Sequence, residues 1–290
     1  MSDKTAFHQA LADLTAQLAG KPLDAALAQW LNTAHGPASQ KCTAIRRILV
    51  PAALYAAVAE AVSAQLASVV VDNPRNPEVR MGSLVSRAQF DGVQAGIDAL
   101  AAHTDVLHDG RTRPLVDADP AVAACVGPVL LGARDADRAS IVHDVEVFGP
   151  VATLLLYNDL PHALALAQRG QSSLVTSLYD ADDKALAQAQ AAIALAASNG
   201  RVHVVTPAVA TAHTSHGNVM PMSLHGGPGR AGGGAELGGL RALDFYHQRS
   251  AVQAGPEVLA ALGCCPPNLP AKTTPSRRRH AMNSLPEHFN

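Results

Sequence analysis

The sequence predicts an α/β fold, and three observations carry that expectation. From Ile45 onward, short runs rich in Val, Leu and Ile alternate with alanine-rich stretches long enough for helices. Breakers such as Asp72-Asn73-Pro74 close the runs. The chain has 290 residues, 48% of them hydrophobic, so it can bury a sizeable core.

The elements follow in order. Residues 1–35 read as two short helices. Phe7, Leu11, Leu14 and Leu18 fall at helical spacing, Gly20-Lys21-Pro22 interrupts, and Leu23, Leu27, Trp30 and Leu31 resume. His35-Gly36-Pro37-Ala38-Ser39 is a turn or linker. Ile45 to Pro51 is a strand, Pro51 to Ala67 a helix, and Ser68 to Val71 a second strand. Arg87 to Ala102 is helical, and Val122 to Leu131 is strand-like around Gly127-Pro128. Then come a strand at Val151 to Tyr157, a helix at Leu160 to Arg169, and a strand at Leu174 to Tyr179. A helix at Asp183 to Ala197 and a strand at Arg201 to Val205 follow. Arg241 to Val252 is a candidate terminal strand. The organisation expected is a separate helical segment at 1–38, a main domain at 39–240, a C-terminal strand region at 241–255, and a disordered tail at 256–290. Prolines and Arg277-Arg278-Arg279-His280 mark that tail.

Composition excludes several classes. Net charge is −2 with both signs interspersed, which argues against nucleic acid. No apolar run reaches membrane-spanning length, and the start does not read as a signal peptide. The four cysteines have neither zinc-type nor disulfide-framework spacing, and a reducing, cytoplasmic setting is expected.

Three blocks carry candidate chemistry. Cys42 lies on a polar turn just before a strand. A thiolate there is accessible and intrinsically nucleophilic, with Lys41 and Arg46 as cations able to favour it, although a lone Cys more commonly serves as a small buried hydrophobe. His143-Asp144-Val145-Glu146-Val147-Phe148-Gly149-Pro150 is in isolation only a turn entering a strand. The glycine-rich run from Gly226 to Gly234 lacks the Gly-Lys-Ser/Thr ending of a phosphate loop and reads as a flexible loop. His213-x-x-His216 has a metal-like spacing but no evident third ligand, so a solvated loop is preferred.

Taken together, Gln40-Lys41-Cys42-Thr43-Ala44, Glu146-x-Phe148-Gly149-Pro150 and the glycine-rich block resemble the aldehyde dehydrogenase superfamily from about Gln40 to Gln253. Ser39 stands where the first block usually has glycine. Further blocks, Arg80-Met81-Gly82-Ser83-Leu84 and Phe245-Tyr246-His247 among them, resemble its members in coenzyme-A-linked aromatic degradation. The resemblance implies the family's catalytic domain lacking most of the dinucleotide-binding domain. It implies Cys42 as the residue that forms the thiohemiacetal, Glu146 on the nicotinamide ribose, and Phe148 beside the nicotinamide ring. It implies NADP as cofactor, with NAD possible, a CoA-thioester semialdehyde as substrate, and a homodimer in the intact family. The family carries its cofactor fold, oxyanion asparagine and general-base glutamate ahead of the cysteine, and none of these fits residues 1–39. The expectation is therefore a truncated, inactive chain with a joint near Gly36–Gln40. The alternatives are a non-catalytic remnant used for binding or subunit pairing, or the dehydrogenase part of a phenylacetate ring-cleavage enzyme.

Overall fold

The computed structural model describes residues 40–180, 185–206, 208–209, 226–232, 247–248 and 250–263. Its strands are β1 (Arg47–Pro51), β2 (Asp105–Asp109), β3 (Val129–Ala133), β4 (Val151–Tyr157), β5 (Ser173–Tyr179), β6 (Asn199–Val205) and β7 (Ala251–Gln253). Its helices are α1 (Tyr55–Ala67), α2 (Arg87–Ala101), α3 (Ile141–Asp144), α4 (Leu160–Gln168), α5 (Ala185–Ala196) and α6 (Pro256–Ala261). They form a four-stranded sheet of order β1-β4-β3-β2 and a three-stranded sheet of order β5-β6-β7. Every pairing is parallel except β2 with β3.

The first sheet is covered on both faces, because successive residues of a strand point to opposite sides. Leu130, Ala152 and Leu154 meet Tyr55, Val58, Val62 and Leu66, the buried stripe of α1. Val129, Leu131, Val151 and Leu155 meet Val93, Ile97 and Leu100 of α2. Each such buried Leu or Ile contributes about 1.5–3 kcal/mol. Ser86 starts α2, its hydroxyl accepting from the Gln89 N–H at 3.2 Å. Asp159 caps α4 in the same way, accepting from His162 N at 2.8 Å. Beneath the second sheet, Val202 and Val204 pack on Ala189, Ala192 and Leu195 of α5 and on Val258 of α6. Helix α4 serves both layers: Leu166 enters the first core, while Leu164 and Ala167 lean on the second.

Several expectations need correction. Ser68–Val71 is not a strand and keeps one bridge, Val71 to Met81. Its neighbour Asp72 instead gathers the backbone N–H groups of Asn73, Val116, Asp117 and Ala118, which makes this stretch the anchor of a loop. Residues 122–128 are irregular, and the strand begins at Val129. Strand β2 was not expected; its Asp-Val-Leu-His-Asp pattern is that of a half-wet edge. The tail expected to be disordered from 256 opens with helix α6, whose Val258 is buried. The terminal strand region joins the main domain, since β7 pairs with β6. Residues 1–39, 241–246 and 264–290 lie outside the described residues, with the readings made of them.

Candidate functional site

Cys42 sits on an exposed turn ahead of β1, closed by Ala44 N donating to Lys41 O at 3.0 Å. Thr43 beside it is buried, which seats the turn on the domain while the thiol stays outside. The Glu146–Phe148 segment uses the opposite device. Val147 is the buried peg, inserted into the core against α2, and it throws Glu146 and Phe148 outward. Gly96 makes room for it: a Cβ there would stand 2.7 Å from Val147 Cγ2.

The structure brings the three sequence-predicted residues together. Cys42, Glu146 and Phe148 line one cleft of about 800 Å³, between the β1 and β5 edges of the two sheets. Arg230 and Ala231, from the described part of the glycine-rich run, line it too. That run is tied down by Arg230 N donating to Gln171 O at 3.2 Å and Arg230 Nη1 donating to Asp144 O at 3.3 Å. Gln171 and Ser172 adopt positive φ, 55° and 99°, a left-handed kink uncommon for side chains of this kind.

Four arginines organise the surroundings, and the sequence reading had weighed only Arg46. Arg47 Nη1 donates to His143 Nδ1 at 2.9 Å and to Leu166 O at 2.9 Å, while Nη2 donates to Ala167 O at 3.1 Å. It thus caps the carbonyl end of α4, where a cation is favoured. A guanidinium only donates, so His143 must be neutral and accept at Nδ1. Burial, with Arg47 and then Arg169 nearby, pushes His143 down to about 4. Arg46 Nη1 donates to Gly149 O at 2.8 Å, and its guanidinium lies 5.5 Å from the Phe148 ring centroid. Burial draws the Arg46 pKa below its usual value, against the pull of Glu146.

Arg201 on β6 is 1% exposed, and burial lowers its pKa while charge on Cys42 works the other way. This interior cation, coupled to Cys42 through its own charge, is a residue that the sequence reading missed. Its signal was present: a lone arginine opening an apolar run. Among the described residues, no group of three or more His, Cys, Asp or Glu is arranged to hold a metal, and no helix is long and apolar enough to cross a membrane. His213 and His216 lie outside the described residues.

The donor set fits the nicotinamide end of a dinucleotide. An exposed aromatic face and an exposed carboxylate, for hydroxyl groups, border the cleft that the Cys42 side chain lines. The chain is 50% identical over 191 residues to a 3,4-dehydroadipyl-CoA semialdehyde dehydrogenase of Aromatoleum evansii, covering 65% of this chain and 36% of that protein. It is 43% identical over 185 residues to protein MaoC of Klebsiella aerogenes, covering 63% and 53%. The chain thus spans well under two thirds of either relative. The crystal structure of an aldehyde dehydrogenase C mutant from Pseudomonas syringae, with NAD+ and octanal, has the same fold over 74% of this chain and 40% of that one. Its TM-score is 0.60 at 24% identity. A profile of the aldehyde dehydrogenase family matches residues 18–252, reaching into the N-terminal segment that the sequence reading had set apart. Because this profile covers well over half of its residues, the chain belongs to the aldehyde dehydrogenase family, a family of NAD(P)-dependent oxidoreductases.

Proposed function

We propose that the chain carries the nucleophile and the nicotinamide end of a dehydrogenase that oxidises a CoA-linked semialdehyde to the acid. The observation that carries this reading is the exposed Cys42 thiol sharing one cleft with Glu146 and Phe148. As thiolate, Cys42 Sγ attacks the aldehyde carbon; a C–S bond forms as the C=O π bond breaks and its electron pair moves to oxygen, giving a thiohemiacetal anion. NADP, or NAD, would when bound supply the acceptor for the hydride that leaves that carbon. Water then cleaves the resulting thioester, releasing the acid and returning the thiol. Glu146 would hold the ribose hydroxyls of that cofactor and Phe148 would pack beside its ring. The semialdehyde is proposed from the similarity to the Aromatoleum evansii enzyme. A reducing, cytoplasmic setting suits a cysteine nucleophile, and a homodimer is the proposed assembly.

The pyrophosphate and adenosine of a dinucleotide call for a helix N-terminus at the end of a parallel strand. Glu146 and Phe148 reach only the other end. We therefore expect these 290 residues alone to bind NADP weakly and to reduce none of it with 3,4-dehydroadipyl-CoA semialdehyde. Placing the N-terminal half of the Aromatoleum evansii relative ahead of Gln40 is expected to give activity that Cys42→Ala abolishes. Turnover by the chain as it stands would overturn the inactivity. A fused chain that folds and binds NADP yet stays idle with this substrate would overturn the substrate. A folded fused chain that never binds NADP would favour a non-catalytic binding module.

A further inference from the structure

The turn that carries Cys42 is short and exposed, and a catalytic thiol needs a fixed relation to the cofactor side of its cleft. A displacement of about 1 Å can cost on the order of 10²-fold in rate. Two side chains flank the thiol, Gln40 before it and Arg46 after it, and both reach the Glu146–Gly149 turn. Gln40 Nε2 donates to Phe148 O at 3.2 Å. The same amide is anchored at the head of α2: Oε1 accepts from Val85 N at 2.9 Å, and Nε2 donates to Gln89 Oε1 at 3.3 Å. From the other side, Arg46 Nη1 donates to Gly149 O at 2.8 Å while its guanidinium faces the Phe148 ring at 5.5 Å. Glu146 adds its charge to that grip. The two carbonyls held are consecutive, and each is held by a different side chain of the segment around Cys42.

We propose that Arg46 and Gln40 are positioning residues that clasp the Cys42 turn to the Glu146–Gly149 turn, so that thiol and cofactor-facing residues keep one relative geometry. The inference rests on reading Cys42 as nucleophile and Glu146 and Phe148 as the cofactor side. Arg46 suits the task better than lysine would, because a planar guanidinium can donate to a carbonyl and face a ring at once. Lysine keeps the charge but satisfies one of those contacts at a time.

The test is a double-mutant cycle on the rate at which iodoacetamide alkylates Cys42 in the full chain, followed across pH without NADP. Arg46→Met and Phe148→Leu form one cycle, and Arg46→Lys and Phe148→Leu the second. A clasp predicts non-additive effects, with a coupling of at least about twofold in rate, smaller in the Lys cycle than in the Met cycle. Gln40→Ala is expected to change the rate in the same direction as Arg46→Met. Melting curves establish that each variant is folded. If Arg46→Met does not fold, the Lys cycle decides. Coupling in either cycle supports the clasp, and additivity in every cycle whose variants fold overturns it. With NADP and substrate absent, a failure of the proposed activity leaves this result standing.

Discussion

Cys42 and Cys125 carry the same thiol in opposite settings. Cys42 is exposed on its turn. Cys125 is half-buried, and burial, helped by the Asp72 charge, pushes its thiol up. Since the thiolate is the reactive form, iodoacetamide at neutral pH should label Cys42 first. Mass spectrometry finding Cys125 modified ahead of it would reverse the assignment. His143 makes a second prediction. It stays neutral in the folded chain down to about pH 4, against an ordinary value of 6.5. The unfolded chain therefore binds the proton first as pH falls. Stability should be full above about pH 7 and should decline through the window from 6.5 to about 4, by about 3 kcal/mol in all. His143→Asn, at a given pH less stable or not, should flatten that slope in urea melts. At this scale the sequence pointed to residues in recognisable blocks, Cys42, Glu146 and Phe148, and the structure brings these to one cleft. Arg201 was not legible, because its importance comes from a strand that the chain reaches only after a long excursion.

Elements were legible wherever one periodicity ran without competition. The stripe of α1 and the apolar run of β4 both lie where expected. Ser68–Val71 has equal strand propensity, yet one carboxylate next to it decides the outcome. Asp72 accepts four backbone N–H groups and so holds residues 116–118 against 72–73. These bonds, from Val116 foremost, keep its carboxyl below the usual carboxylate range. Its contribution is therefore present above that range and lost as pH falls through the lowered value. Asp72→Ala should depress the melting temperature at pH 7 and depress it less in acid, below the usual carboxylate range. An equal deficit at both would refute the account. Strand β6 carries another element-scale constraint. A Cβ at Gly200 would overlap the Gly226 carbonyl, which is backbone and has nowhere to go. Gly200→Ala should cost about 1–3 kcal/mol, read as a drop in urea midpoint, by displacing the loop that bears Arg230. An unchanged midpoint would show that the loop is not seated there.

At the scale of the whole molecule, alternation of strands and helices gave the fold class but not the division into two sheets. Strand order depends on which edges meet, and no local pattern encodes that. Among the described residues, β1-β4-β3-β2 and β5-β6-β7 share no ladder of hydrogen bonds. The cleft that holds Cys42 runs along the gap, and α4 packs on the cores of both. Native-state hydrogen exchange in mild guanidinium is the measurement to make. Amides of β5–β7 should exchange through a sub-global opening of lower free energy than those of β3 and β4. Equal protection across both sheets would refute this. The structure behaves, on this view, like a laminate with a seam. Denaturant should part it along the cleft before either layer melts, so reactivity at Cys42 would report the first crack and not the final collapse.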